Sequence, residues 1–356
     1  MVLHVSPWGV HCGIAKHLSY WLPHLRVPSA ICAEIKPAWH KVVETWGDVP
    51  CTRAWTRGSA HALADVAAMA DSLGANIVHW QWDPSFFPFR AMEEYERWVL
   101  KTGTRTVVTA HVLYDDDLFT WENKKMLTLA DQLVVGTPHM VNAFAEYAER
   151  YQVRLYADPR CVCLPAPRIP GLATRRSKRR GVHIGTWGFT GGHKGHAEIA
   201  DAVQMLSDSG TPAKYIVAGR ALTGEQRETV ERLRNRPNVE VREGFLTDEQ
   251  VYKFCRSLDC VVLNHRCHRP SSSGTVALSV ASGTPVVVSE SPMFSGYSDT
   301  AAVKVASPGA EGIAAAIAAV LRDPTQLDSG RKTMLKRNDP AAVARQYEDI
   351  YSEVAA

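Results

Sequence analysis

Short β-branched and apolar runs alternate with stretches of helical periodicity twice along this chain, with a break between the two rounds. In the first round Val2 to Val5 reads as a strand, and Ile14, Leu18, Trp21, Leu22 and Leu25 then recur at helical spacing. Further strands are expected at Ile77 to Trp80, Arg105 to Ala110 and Gln132 to Val135, between helices around Ala60 to Asp71, Met92 to Leu100 and Pro138 to Tyr151. The break is Leu164-Pro-Ala-Pro-Arg-Ile-Pro-Gly171, followed by the basic run Arg175 to Arg180, which reads as a solvated linker. Strands near Val182 to Thr186, Lys214 to Ala218, Val239 to Arg242, Cys260 to Leu263 and Pro285 to Val288 then alternate with helices near His196 to Leu206, Thr223 to Arg234, Asp248 to Arg256 and Thr275 to Ala281.

Such alternation specifies parallel sheets with helices on both faces, so the expected class is α/β with two Rossmann-like domains. The expected division is an N-terminal domain over 1–170, a linker over 171–180, a second domain over 181–337, and a helix within 338–356. That last helix, roughly Pro340 to Glu353, has nothing left to close in the second pattern. Ligands of doubly wound sheets bind at the carboxyl ends of the strands, so two such domains are expected to share a cleft there. At 356 residues the chain is long enough for two cores.

Charge adds little. The net charge of +3 is too small to imply a nucleic-acid or membrane partner, and the first 170 residues carry 16 Lys+Arg against 17 Asp+Glu. The eight cysteines form no Cys-x-x-Cys pair, which suggests reduced thiols and a cytoplasmic protein. Met1 leads almost directly into a strand-like run, so no secretory leader is expected. The Ala-rich run 312–321 is too short to span a bilayer, which leaves only a peripheral membrane contact open.

The segment from Asn264 to Ser289 reads as strand end, turn, helix and strand. Ser271, Ser272, Ser273 and Gly274 supply small residues where the helix begins, and Gly283 and Pro285 stop it. A helix start exposes unpaired N–H groups at the positive end of its dipole, which favours an anion; Arg266 and Arg269 add charge beside it. The alternative is an ordinary βαβ unit whose serines merely cap a helix.

Taken together, the residues resemble the retaining glycosyltransferases of family 4, which have the two-domain GT-B fold. The resemblance rests on Ser6-Pro-Trp-Gly-Val-His-Cys-Gly-Ile-Ala-Lys-His17, Val108-Thr-Ala-His-Val-Leu-Tyr-Asp115, Ala130-Asp-Gln-Leu-Val-Val-Gly-Thr-Pro138, Ile184-Gly-Thr-Trp-Gly-Phe-Thr-Gly-Gly-His-Lys-Gly195, Glu243-Gly-Phe-Leu-Thr-Asp-Glu249, the Ser-Ser-Gly turn and Gly283 to Ser289. It implies that the last helix crosses back onto the first domain. Gly13 would admit the donor, His111 would lie near the transferred sugar and Lys194 would bind phosphate. The nucleotide base would be held around Phe245 and Leu246, and the diphosphate by Ser272, Ser273, Gly274 and Thr275. The family's two donor-site glutamates fall here on Pro270 and Leu278, and the arginine that usually precedes its lysine is replaced by Gly188 and Phe189. Arg220, Arg266 or Arg269 could supply the second phosphate cation, since a guanidinium forks onto phosphate oxygens. Branches with a Ser-Ser-Gly turn in place of the acidic motif look closest.

The implied function is metal-independent transfer from a nucleotide-sugar donor, a UDP- or GDP-sugar, to a hydroxyl acceptor. His111, Lys194 and Arg266 are the candidate catalytic groups. The acceptor stays open among glycan, lipid-linked glycan, protein, small molecule and modified nucleic-acid base. An epimerase, a phosphorylase, and a non-catalytic sugar-nucleotide-binding protein are the rival readings. Asp115-Asp-Asp117 could hold a divalent ion, but acceptor binding or a solvated turn is preferred. His79 and Trp82 are expected to line a pocket, and His193 to be an ordinary loop histidine beside Lys194. Cys255 and Cys267 have no partners that argue for nucleophilic catalysis.

Overall fold

In the computed structural model, residues 1–36, 49–114, 119–169, 181–266 and 269–356 are described. The chain divides into two compact units. The first comprises Met1–Pro165, Arg269–Ser272 and Asn338–Ala356, and the second Ala166–His268 and Ser273–Arg337.

In the first unit the elements are β1 (Val2–Ser6), α1 (Gly13–Trp21), β2 (Ser29–Glu34), β3 (Cys51–Trp55), α2 (Ala62–Leu73), β4 (Ile77–Trp82), α3 (Phe89–Thr102), β5 (Arg105–Ala110), α4 (Thr120–Leu129), β6 (Gln132–Val135), α5 (Pro138–Arg150) and β7 (Arg160–Cys161). The sheet order is β3-β2-β1-β4-β5-β6-β7, every pair parallel. Both faces of β1 and β4 are buried, although His4, His79 and Gln81 interrupt their apolar residues. Order reverses between β1 and β4, which run side by side with Val2 opposite Ile77 and His4 opposite His79.

Sequence pattern misses β2 and β3. Ser-Ala-Ile-Cys-Ala-Glu has one β-branched residue, and the edge strand β3 is largely exposed, so neither shows strand periodicity. Helix α4 is nearly as polar on one side as on the other and is also missed. Helix α3 begins about a turn before its expected start and ends where Gly103 takes φ +70.

The second unit holds β8 (Val182–Trp187), α6 (His196–Asp208), β9 (Ala213–Gly219), α7 (Gly224–Arg234), β10 (Val239–Glu243), α8 (Asp248–Arg256), β11 (Cys260–Leu263), α9 (Gly274–Ser282), β12 (Val286–Ser289), α10 (Ser295–Ser298), β13 (Lys304–Ala306), α11 (Gly309–Arg322) and α12 (Asp328–Arg337). Its sheet is all parallel in the order β10-β9-β8-β11-β12-β13. The Ala-rich run becomes the helical face of α11, where Ile313, Ala316, Ile317 and Val320 are buried; small side chains let it lie close to α6. No helix among the described residues is long and apolar enough to cross a membrane.

The final helix, α13 (Pro340–Ala355), starts on a cap in which the Asp339 carboxylate accepts from the N–H groups of Ala341 and Ala342. It belongs to the first unit. Val343, Ala344, Tyr347, Ile350 and Tyr351 are buried there with Leu18, Trp21, Val107 and Val134. Tyr347 stacks on Trp21 at a centroid distance of 4.0 Å and an interplanar angle of 10°, a contact worth about 1 kcal/mol beyond the area it covers. Asn338 Nδ2 donates to Leu164 O at 2.7 Å where the chain re-enters this unit.

The expected linker 171–180, Asp115 to Asp117 and Cys267 lie outside the described residues.

Candidate functional site

In the second unit the order of strands reverses between β8 and β11, so the turns that follow these two strands frame the crevice of a doubly wound sheet. The turn after β8 is shaped by glycine. Gly188 has φ +106, donates its N–H to Ala218 O at 2.9 Å, and places its carbonyl oxygen 1.7 Å from where a Cβ on Gly219 would sit. Only a glycine at 219 admits that approach. Beyond it, Gly192–Lys194 forms a single 3-10 turn closed by Gly195 at φ +55. The Lys194 side chain consequently folds inward.

Lys194 is only 6% exposed, and its Nζ lies 3.5 Å from Trp187 O, a long and weak contact. No ion pair engages it among the described residues. Burial lowers its pKa from the ordinary 10.5 to about 8. A Cβ placed on Gly188 would meet Lys194 Nζ at 2.9 Å and Thr275 Cγ2 at 3.3 Å, so the ammonium and the first turn of α9 meet over this glycine. At the start of α9, Ser273 is extended, and its hydroxyl bonds to Thr275 Oγ1 at 2.8 Å instead of capping the helix. Gly274 faces open space. This arrangement offers a buried cation and a helix N-terminus without its side-chain cap, which together suit an anion.

Several neutral polar groups surround the lysine. Burial holds the His196 pKa at about 3 and pushes His265 well below its usual 6.5, and the Lys194 charge adds to both shifts. Burial and the same charge lower His193, against the pull of Glu225. His196 Nδ1 meets Tyr215 Oη at 2.7 Å, while His196 Nε2, His265 Nε2 and Thr190 Oγ1 are buried without a hydrogen-bond partner among the described residues. Sequence reasoning missed Thr190, His196 and His265, although all three lie in or beside the motifs that carry the resemblance.

The three arginines take different places. Arg266 is committed to Glu198, with Nε 3.1 Å from Oε2, and Asn264 Nδ2 donates to the same oxygen at 2.6 Å. It is not a spare cation as the sequence suggested, because α6 brings a carboxylate beside it. Arg269 lies with its guanidinium 4.7 Å from the Tyr114 ring centroid in the first unit. Arg220 follows β9, is exposed, and has no ion pair among the described residues. Its carbonyl accepts from Thr190 N at 3.4 Å, tying the ends of β8 and β9 together. After β10, Gly244 (φ +148) donates to Gly219 O; Phe245 is 44% exposed and Leu246 half-buried. Ser272 goes with the first unit, where its hydroxyl fills the space a side chain at Gly136 would need.

In the first unit Gly13 opens α1, and a Cβ placed on it would meet nothing within 4 Å, which leaves open space at the helix start. His111, just past β5, is half-buried, and burial with the nearby His17 holds its pKa well below 6.5. His79 and Trp82 do not line a pocket. Trp82 is fully buried against Trp80 and Phe87, and His79 is enclosed among Thr109, Tyr347 and Tyr351, because both strand faces are covered. Cys255 is also buried, and burial pushes its thiol up to about 12. No cluster of three or more His, Cys, Asp or Glu suited to a metal occurs among the described residues.

Residues 186–338 match the family model of glycosyl transferases, group 1. No curated protein sequence matches the chain. Its fold is similar to that of Anabaena HepE solved with UDP and glucose, at 14% identity, 99% coverage of each chain and a TM-score of 0.71. It is similar also to a glycosyltransferase from Rickettsia africae, at 13% identity, coverage of 99% of this chain and 98% of that one, and a TM-score of 0.73. Sucrose-phosphate synthase from Thermosynechococcus elongatus shares it at 14% identity, 99% coverage of each chain and a TM-score of 0.71.

Proposed function

We propose that this chain is a metal-independent, retaining glycosyltransferase that moves a sugar from a nucleotide-diphosphate donor to a hydroxyl acceptor. The observation that carries this reading is the buried Lys194 ammonium, without an ion pair among the described residues, meeting the first turn of α9 over Gly188. Such a charge is costly to bury unless an anion joins it. The group 1 match over residues 186–338 covers this region, and HepE was solved with UDP.

Breaking the anomeric C–O bond leaves negative charge on the departing diphosphate. Lys194 and the N–H groups from Ser273 to Thr275 would hold that charge, with Arg220 as the exposed second cation. Phe245 and Leu246, at the end of β10, would bound the nucleotide base. His111 would accept or donate a hydrogen bond to the transferred sugar. In the retaining route the acceptor attacks on the leaving-group face and gives its proton to the phosphate oxygen, so no protein base is required. A UDP- or GDP-sugar is the expected donor.

A second reading has one specific support: no acidic residue lies between Asp259 and Glu290, and Pro270 and Leu278 stand where the family's donor-site glutamates would be. That suits a protein that binds a sugar nucleotide without transferring it. A thermal-shift screen of UDP- and GDP-sugars, followed by assay of UDP or GDP release with glycan, lipid-linked, small-molecule and modified-base acceptors, separates the two. Binding without release supports the sensor; no binding by any of them overturns both.

A further inference from the structure

Behind His111, inside the first unit, runs a row of uncharged polar side chains. Gln81, fully buried at the end of β4, places Oε1 2.9 Å from His111 Nε2 and 3.4 Å from His17 Nδ1. Its amide nitrogen lies 3.3 Å from His79 Nε2. His79 continues the row, with Nε2 2.8 Å from Thr109 Oγ1 and Nδ1 2.6 Å from Tyr351 Oη, and Thr109 Oγ1 is 3.0 Å from Tyr347 Oη. Strand register explains the assembly. Gln81 stands opposite Thr109 and His4 opposite His79, so β1, β4 and β5 turn polar residues to one face, where α1 and α13 cover them.

The direction of each bond follows from what an amide can do. A carboxamide oxygen only accepts, so the ring nitrogens facing it carry the protons: His111 is the Nε2–H tautomer and His17 the Nδ1–H tautomer. The Gln81 amide donates to His79 Nε2, whose proton is then on Nδ1 and goes to Tyr351. All three rings stay neutral, since burial and mutual repulsion depress His79 and His111, and burial takes His17 to about 4. The bond of His111 runs through Nε2, which leaves Nδ1 as the lone-pair nitrogen of this tautomer, and His17 Nε2 is buried with no partner among the described residues.

We infer that Gln81 is a positioning residue for His111: by accepting from Nε2–H it fixes the tautomer that presents Nδ1 as a hydrogen-bond acceptor to a hydroxyl of the donor sugar. The inference rests on the proposed placement of His111 beside that sugar. A core role alone would need Gln81 only to satisfy its neighbours and would leave the tautomer of His111 without consequence. A ring with a fixed proton, by contrast, discriminates a hydroxyl that donates from a group that cannot.

The test uses the full chain labelled with 15N-histidine. His111 ring resonances are assigned by loss in His111→Ala, and two variants are compared, Gln81→Met, which removes the acceptor, and Gln81→Glu, which keeps it. Wild type and Gln81→Glu are expected to show Nε2–H at His111 and Gln81→Met a mixed or Nδ1–H ring. In wild type, UDP-glucose or GDP-glucose should move the Nδ1 resonance where UDP or GDP alone does not. Hydrolysis of the responding sugar nucleotide should lose about 10- to 100-fold in kcat in Gln81→Met with KM nearly unchanged. An unaltered His111 tautomer in folded Gln81→Met overturns the inference, as does an altered tautomer with wild-type kcat. If neither sugar nucleotide moves the wild-type ring, the placement of His111 at the sugar has failed, and the inference falls with it for that separate reason.

Discussion

Replacing Lys194 by Met keeps an unbranched stem in place and removes the charge, and the structure predicts opposite effects on stability and on binding. Burial lowers the lysine pKa from 10.5 to about 8. At about 1.4 kcal/mol per pH unit, the folded second unit disfavours the ammonium by about 3 kcal/mol. At pH 7 the group is still charged, so the ligand-free protein carries that cost. Met also forgoes the weak contact to Trp187 O, which is worth about 1 kcal/mol, and a net gain of about 2 kcal/mol remains. The sign with pH is fixed: the unfolded chain keeps its proton up to 10.5 while the folded one releases it from about 8. The penalty is therefore full below pH 8 and is relieved as pH rises through the window from about 8 to 10.5. Lys194→Met should be the more stable protein in urea at pH 7, with the difference shrinking towards pH 10. In calorimetry with UDP it should bind about 30-fold more weakly or worse, the cost of removing one partner of a buried charge pair, about 2 kcal/mol or more. A variant that is less stable at pH 7 and binds UDP as wild type does would refute the reasoning on both counts.

Raising the pH above about 8 should weaken UDP binding of the wild type, because Lys194 loses its charge there; Lys194→Arg, always protonated, should show no such limb in calorimetry between pH 7 and 9.5. Gly274→Val is expected to leave the melting temperature nearly unchanged, since a Cβ there meets nothing within 4 Å, and to weaken UDP affinity by crowding the start of α9. Ser279→Ala is not a neutral control for it: Ser279 is fully buried, accepts from Trp187 Nε1 at 2.9 Å and donates to Thr275 O, so its loss should lower the melting temperature. Under the proposed function turnover should survive EDTA, because lysine and helix N–H groups would hold the diphosphate; loss on chelation with recovery in manganese would turn attention to Asp115 to Asp117.

Local pattern was enough for much of this molecule. Alternating apolar runs and helical periods identified two α/β units, because a strand or helix signals itself through neighbours two to four residues away. The same holds for the Ser-Ser-Gly start of α9, whose small residues stand where the helix begins, whereas the turn around Lys194 was reached through the family resemblance. Strands β2 and β3 escaped since their stability comes from pairing beside β1 rather than from their own composition.

Which side chains meet was decided elsewhere. Arg266 looked like a free cation until α6 carried Glu198 to it across 68 positions in sequence, and α13, which the resemblance placed on the first domain, found there the apolar face of Leu18 and Trp21 that covers it. Gln81, two residues from His79 on a buried strand, gave no sign of touching His17 or His111. Its role depends on strand order and register, which set one pleat of β4 opposite one of β5 and bring α1 over both. Sequence determined the elements because local backbone preference and periodicity act at short range; the tertiary structure decided the partners because burial and hydrogen bonding join whichever groups the packed sheet brings within about 3 Å.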